Sequence, residues 1–273
     1  MPTILDGIID TKRREVAEAQ ARRPLDRVIA EAQAAEPPRD FHAAIRRPAP
    51  RGIHLIAEIK KASPSAGVIR ADFDPVAIAR IYHKGGASAL SVLTDRTYFQ
   101  GELAYIAQVK QAVPVPVLRK DFTVEAYQVY EARAAGADAV LLISEVLATD
   151  EIVDLLRLAD SLGMTSLVEA HNPSLLLAVH AAIRGAGAVR YLLGINNRDL
   201  ARQVVDVGTT ERAAGLLSDT SILVAESGIH TPTDVARVRN AGAAAMLVGE
   251  SLMAAPDIAA RMRELLGAST TCP

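Results

Sequence analysis

From residue 53 onward, short and mostly continuous apolar runs alternate with longer stretches whose apolar positions recur every three or four residues. The runs are Ile53–Ile59, Ala87–Leu93, Val115–Leu118, Ala137–Ile143, Met164–Val168, Val189–Ile195, Ser221–Ala225 and Ala243–Val248. Apolar character on both faces predicts parallel strands covered on two sides. The intervening stretches, such as Asp74–Lys84, Val124–Ala135, Asp150–Leu162 and Thr231–Ala241, predict amphipathic helices. Asp74-Pro75, Asn172-Pro173 and Thr231-Pro232 each place a capping side chain before a proline suited to the first helical turn. Glycines at 85–86, 136, 163 and 242 stand where those helices must stop before the next strand.

Eight such strand–helix pairs predict an α/β fold, a (β/α)8 TIM barrel. An open doubly wound sheet is the competing architecture. It would carry a glycine-rich turn after the first strand, and here that strand runs into Lys60-Lys61-Ala62-Ser63-Pro64-Ser65. Residues 1–52 read as an N-terminal helical extension of one or two helices, and residues 53–273 as the barrel, forming one domain overall. Ile4, Leu5, Ile8 and Ile9 make one apolar face, and Leu25, Val28 and Ile29 another, before the Pro37-Pro38 break. The extension fits either a plug under the barrel or a lid over its mouth.

Composition narrows the functional classes. With 30 Lys plus Arg against 32 Asp plus Glu, the net charge of −2 argues against a nucleic-acid partner bound through bulk basicity. The single cysteine, Cys272, excludes an internal disulfide framework. No apolar run approaches the roughly 20 residues that span a bilayer, and Asp6, Asp10 and a basic cluster argue against a secretory signal. A cytoplasmic protein without a membrane partner is expected, as a monomer or a homodimer. No two of the six histidines stand at metal-ligand spacing, so no metal is expected.

The active site of such a barrel forms where the C-terminal strand ends open into loops. The polar residues there are Glu58 and Lys60 after strand one, Lys120-Asp121 after strand three, and Glu169 after strand five. Asn196-Asn197-Arg198 follow strand six, Glu226-Ser227-Gly228 strand seven, and Gly249 strand eight. Glu58 and Lys60, two apart, project from one face of a strand. Lysines and glutamates converging on one mouth suit acid–base chemistry on an anion. For any single pair, mutual neutralisation is the plainer alternative.

Loops after strands seven and eight often bind phosphate through backbone N–H groups. Ser227-Gly228 and Gly249-Glu250 offer that backbone, although each glycine also suits an ordinary turn. Glu250 is tolerable beside phosphate only if its carboxylate points away. His171, two beyond Glu169, could reach the mouth or remain a loop residue. Phe99 and Phe122 could flank a planar ring or pack beneath a loop.

As a set, Ile56-Ala57-Glu58-Ile59-Lys60-Lys61-Ala62-Ser63-Pro64-Ser65, Leu118-Arg119-Lys120-Asp121-Phe122, Leu167-Val168-Glu169-Ala170-His171, Gly194-Ile195-Asn196-Asn197-Arg198-Asp199-Leu200 and Ala225-Glu226-Ser227-Gly228-Ile229 resemble the indole-3-glycerol phosphate synthase family. The resemblance runs from about residue 53 to 255 and is looser over residues 1–52. It implies closure of 1-(2-carboxyphenylamino)-1-deoxyribulose 5-phosphate to indole-3-glycerol phosphate with loss of carbon dioxide and water. That reaction belongs to tryptophan biosynthesis and needs no cofactor or metal.

Carried over position by position, the resemblance makes Lys120 the general acid and Glu169 the acid–base group of the later steps. Glu58 is a competing base, and Lys60 contacts the anionic groups. Asn196, Arg198 and Glu226 match residues around the carboxylate and sugar hydroxyls. Ser227, Gly228, Gly249 and the backbone of Glu250 match the phosphate cradle, with Ser63 beside it. Phe99, Phe122, Leu141 and Ile143 match the anthranilate pocket. Two positions depart: Ala62 stands where some members have lysine, and Glu250 where some have serine or threonine. Two alternatives compete, another phosphosugar-processing barrel and a non-catalytic phosphate-binding barrel. An aldose–ketose isomerase would want a cysteine or aspartate pair, and the one cysteine lies outside the barrel. A binding protein needs no paired proton donors such as Lys60, Lys120 and Glu169.

Overall fold

The computed structural model describes residues 4–49, 51–187, 190–199 and 204–267. Met1, Val189, Leu200 and Cys272 lie outside the described residues. Eight parallel strands close into a barrel: β1 His54–Ile59, β2 Ala89–Leu93, β3 Val117–Lys120, β4 Ala139–Ile143, β5 Thr165–Ala170, β6 Tyr191–Asn196, β7 Leu223–Glu226 and β8 Ala245–Val248. Each pairs with its sequence neighbours, and β1 pairs with β8 to complete the ring.

Helices follow the strands in turn: α4 Pro75–Lys84, α5 Ala104–Ala112, α6 Ala126–Ala134, α7 Thr149–Ser161, α8 Pro173–Gly185, α9 Gly208–Leu216, α10 Pro232–Asn240, the short α11 Glu250–Met253 and α12 Ile258–Leu266. The capping side chains act as expected. Asp74 accepts from the backbone N–H of Val76 and Ala77, Asn172 from Ser174 and Leu175, and Thr231 from Asp234. Among the described residues no helix is long and apolar enough to cross a membrane.

Several strands begin and end later than their apolar runs. The run Val115–Leu118 becomes Val117–Lys120, because Pro116 has no N–H to give the ladder and the strand continues into charged residues. Likewise β5 reaches Glu169 and β7 reaches Glu226. The physical reason is layering. Ile56, Leu118 and Leu167 fill the lumen, fully buried, and the residue two further along each strand stands above on the same face: Glu58, Lys120 and Glu169. Register then sets the rim, placing Glu169 beside Gly194 and Ile143, and Glu226 beside Asn196 and Leu247.

Before the barrel stand three helices rather than one or two: α1 Ile4–Arg22, α2 Leu25–Ala34 and α3 Phe41–Arg46. The unanticipated α3 follows the Pro37-Pro38 break, with Asp40 capping the Ala43 N–H. It closes the bottom: Phe41 and Ile45 are buried in the main core. Arg39 donates to the carbonyls of Lys110, Val113 and Val115, below β3. α1 instead lies at the mouth, where Ile4, Leu5 and Ile8 face the cavity. α2 packs on α6 through a small cluster of Val16, Val28 and Tyr127. Plug and lid positions are thus both occupied, by different helices.

Candidate active site

A cavity of about 660 Å³ opens at the C-terminal ends of the strands. Of the strand-end residues named in the sequence reading, all but Asn197 line it, from Glu58 on β1 to Glu250 after β8; Asn197 is buried behind the rim against Thr210. At its floor Lys120 Nζ lies 2.5 Å from Glu169 Oε2 and 3.2 Å from Glu226 Oε2. The Asn196 side-chain amide donates to Glu169 Oε1 at 2.9 Å. Lys60 Nζ stands 2.9 Å from Glu58 Oε1.

These contacts set the protonation states. Burial alone would lower the pKa of Lys120, but Glu169, Glu226 and Glu58 outweigh it and hold the ammonium charged far up the basic range. Burial would raise Glu169, yet Lys120 and then His171 prevail and keep its carboxylate ionised well below the usual range. Glu226 goes the other way: burial and then the neighbouring Glu169 charge push it up to about 8, against the pull of Lys120. The floor therefore holds one ammonium, one carboxylate and one neutral carboxyl group at pH 7. Glu226 Oε1 has no hydrogen-bond partner.

Two glycines make room for these carboxylates. A Cβ on Gly194 would stand 2.2 Å from Glu226 Oε1, and one on Gly249 2.3 Å from Glu58 Oε1. At the β7 end, Ser227 adopts a left-handed φ of 64° and Gly228 one of 74°, a turn costly for serine and held by the Asn197 amide donating to the Ser227 carbonyl at 3.0 Å. Beside it α11 begins at Glu250. The Glu250 carboxylate is drawn onto Arg198, 3.3 Å away. Ser63 accepts from the Ala66 N–H at 3.2 Å and so orders its own loop.

At the opposite end Phe99 and Phe122 lie with ring centroids 6.2 Å apart, beside Leu141 and Ile143. Sequence reasoning missed what holds them. Asp95 accepts from the N–H groups of Tyr98 and Phe99. Lys12 of α1, buried, reaches Asp95 at 3.0 Å and Asp121 at 2.9 Å. One ammonium thereby joins the helix over the mouth to both aromatic-bearing loops. A lysine between acidic and basic neighbours on a helix looks solvent-facing in sequence; its burial depends on loops some 80 to 110 residues away. Glu145, Asn172 and Ser251 also line the cavity and were not singled out. Among the described residues no group of three or more His, Cys, Asp or Glu is arranged to hold a metal ion.

A closed (β/α)8 barrel whose C-terminal mouth gathers lysines, glutamates and glycine-bearing turns has the architecture of the barrel enzymes. A family model described as indole-3-glycerol phosphate synthase matches residues 5–265. An indole-3-glycerol phosphate synthase of Roseiflexus sp. (strain RS-1) is 48% identical, over 98% of this chain and all of that one. One of Rhodopirellula baltica is 45% identical, over 97% of this chain and 99% of that one. A solved 3-hexulose-6-phosphate synthase shares the fold, with a TM-score of 0.58 and 19% identity, over 78% of this chain and 98% of that one. The chain belongs to the indole-3-glycerol phosphate synthase family.

Proposed function

We propose that this cavity closes 1-(2-carboxyphenylamino)-1-deoxyribulose 5-phosphate to indole-3-glycerol phosphate, with Lys120 as the acid. The observation that carries the reading is the Lys120 ammonium held between Glu169 and Glu226 on the cavity floor. The ring carbon bearing the carboxylate attacks the ribulose carbonyl, and Lys120 protonates that oxygen. The bond to the carboxylate then breaks, carbon dioxide leaves, and the electron pair restores the aromatic ring. Loss of the hydroxyl as water, with a second proton given by the neutral Glu226 carboxyl group, and of a proton from the neighbouring carbon completes the indole. Glu169, ionised, takes that last proton, with Glu58 as the competing base.

The two ends of the cavity orient the substrate. Phe99, Phe122, Leu141 and Ile143 receive the anthranilate ring. Lys60 contacts the anionic groups, with Asn196, Arg198 and the unpartnered Glu226 Oε1 around the carboxylate and the sugar hydroxyls. Ser227, Gly228, Gly249 and the Glu250 N–H cradle the phosphate, with Ser63 beside them. The barrel and its N-terminal helices act as one domain in the cytoplasm on this small phosphosugar, with no nucleic-acid or membrane partner. Purified protein given the carboxyphenylamino-ribulose phosphate should develop indole absorbance and fluorescence at a rate unchanged by chelation. No indole from folded protein would overturn the reading.

A further inference from the structure

The proposed reaction consumes one net proton per turnover, which the cavity floor must regain before the next. The substrate carboxylate enters as an anion and leaves as neutral carbon dioxide. Two protons are taken up, one by the carbonyl oxygen and one by the departing hydroxyl, and one is released from carbon. Lys120 and Glu226 give one each and Glu169 regains one, so each turnover removes one net proton from these three groups. All three are deeply placed: the side chains of Lys120, Glu169 and Glu226 are 13%, 4% and 2% exposed. α1 walls the mouth above them.

One line of side chains leads outward. His171, just beyond β5, places Nε2 3.8 Å from Glu169 Oε1. Its other ring nitrogen, Nδ1, lies 3.2 Å from Glu145 Oε2. Glu145 is fixed in turn, because its Oε1 accepts the His171 backbone N–H at 2.7 Å. Side-chain exposure rises along the line from 4% at Glu169 to 14% at His171 and 24% at Glu145. With Nδ1 turned to Glu145, Nε2 faces the buried carboxylate. The 3.8 Å gap is of the kind that tightens once substrate fills a site.

We propose that His171, backed by Glu145, is the relay that returns a proton from solvent through Glu169 to the cavity floor after each turnover, an inference that rests on the reaction set out above. The charged groups facing the imidazole are Glu145 after β4, Glu169 on β5 and Lys120 on β3. Burial would lower the histidine pKa and Lys120 adds to that, but the two carboxylates outweigh both and raise it, which favours the proton-carrying form. Glu169 passes the proton it took from carbon to Lys120; a protonated His171 then gives its Nε2 proton to Glu169, which hands it to Glu226, and His171 regains one through Glu145 and water.

The test is His171→Gln in the full chain, with indole formation followed in single turnover and in steady state. A relay acts only after the first turnover. The single-turnover rate should stay within about twofold of the parent, while the steady-state rate falls at least about tenfold and recovers in millimolar imidazole buffer. Glu145→Gln should show the same pattern at smaller amplitude. An unchanged steady-state rate, or equal loss in both regimes without rescue, would overturn the relay. If His171→Gln misfolds, Glu145→Gln decides by the same criteria. Absence of indole from the parent enzyme would instead overturn the reaction, and the relay with it.

Discussion

Replacing Lys120 by methionine keeps the length of the side chain and removes its charge. In the folded protein this withdraws the cation 2.5 Å from Glu169 and 3.2 Å from Glu226, both with side chains at most 4% exposed. Stripping one partner from a buried ion pair costs about 3–5 kcal/mol when the remaining charge stays ionised. Glu226 already holds a proton at neutral pH, with its pKa near 8, so the cost falls on Glu169. In the parent, the depressed Glu169 pKa contributes stability above the ordinary value of 4.5, lost as pH falls through the folded value. Without the lysine, burial lifts that pKa above 4.5. The variant's stability is then fully retained below 4.5 and lost as pH rises through the new value.

The gap in Tm between parent and Lys120→Met should therefore already be open at pH 5, where the parent's Glu169 contribution is complete, and widen further by pH 8.5. At about 2–4 °C per kcal/mol for a chain of this size it should reach roughly 6–20 °C. Loss of the positioned acid should lower kcat by about 10²- to 10⁴-fold. Thermal unfolding by circular dichroism at both pH values, with indole fluorescence for turnover, reads both effects. Turnover within tenfold of the parent would refute Lys120 as the acid, and a Tm gap independent of pH would refute the charge coupling.

Gly194→Ala forces a methyl to within 2.2 Å of Glu226 Oε1; kcat should fall about tenfold or more with the barrel's circular dichroism intact, and normal turnover would show that Glu226 can move freely. Lys12→Met frees α1 from Asp95 and Asp121, so KM should rise about tenfold, equivalent to about 1.4 kcal/mol of binding, with a smaller change in kcat; an unchanged KM would show that α1 does not shape the bound state. With Glu226 losing its proton near pH 8, kcat/KM should fall as pH rises through that value, and Glu226→Gln should abolish this limb. A limb that persists in the variant would assign it to another group.

Much of the architecture could be read in one dimension. A strand covered on both faces must be apolar throughout, so β2, β4 and β6 announce themselves, and Asp74, Asn172 and Thr231 mark helix starts through a capping bond made within three residues. The strand-end residues of the candidate site were legible for the same reason, since the barrel places its mouth at a known end of every strand. What stayed hidden depends on contacts remote in sequence. Lys12 is buried only because loops bearing Asp95 and Asp121 close over it. Arg39 found its place under the barrel only once the end of α5 and the loop before β3 supplied carbonyls to meet it. His171 was ambiguous until the fold set its ring between Glu145 and Glu169.

Local patterning, then, decided which segments are strands and helices and which polar groups crown them, because hydrophobic burial and capping act over a few residues. Tertiary closure decided what those groups are chemically. Lys120 and Glu169 are 49 positions apart in the chain and 2.5 Å apart in space. Whether a carboxyl group there is charged depends on distance and burial, neither of which can be read from spacing along the chain. Glu169 and Glu226 look alike in the sequence, yet the folded barrel holds the first ionised and the second neutral.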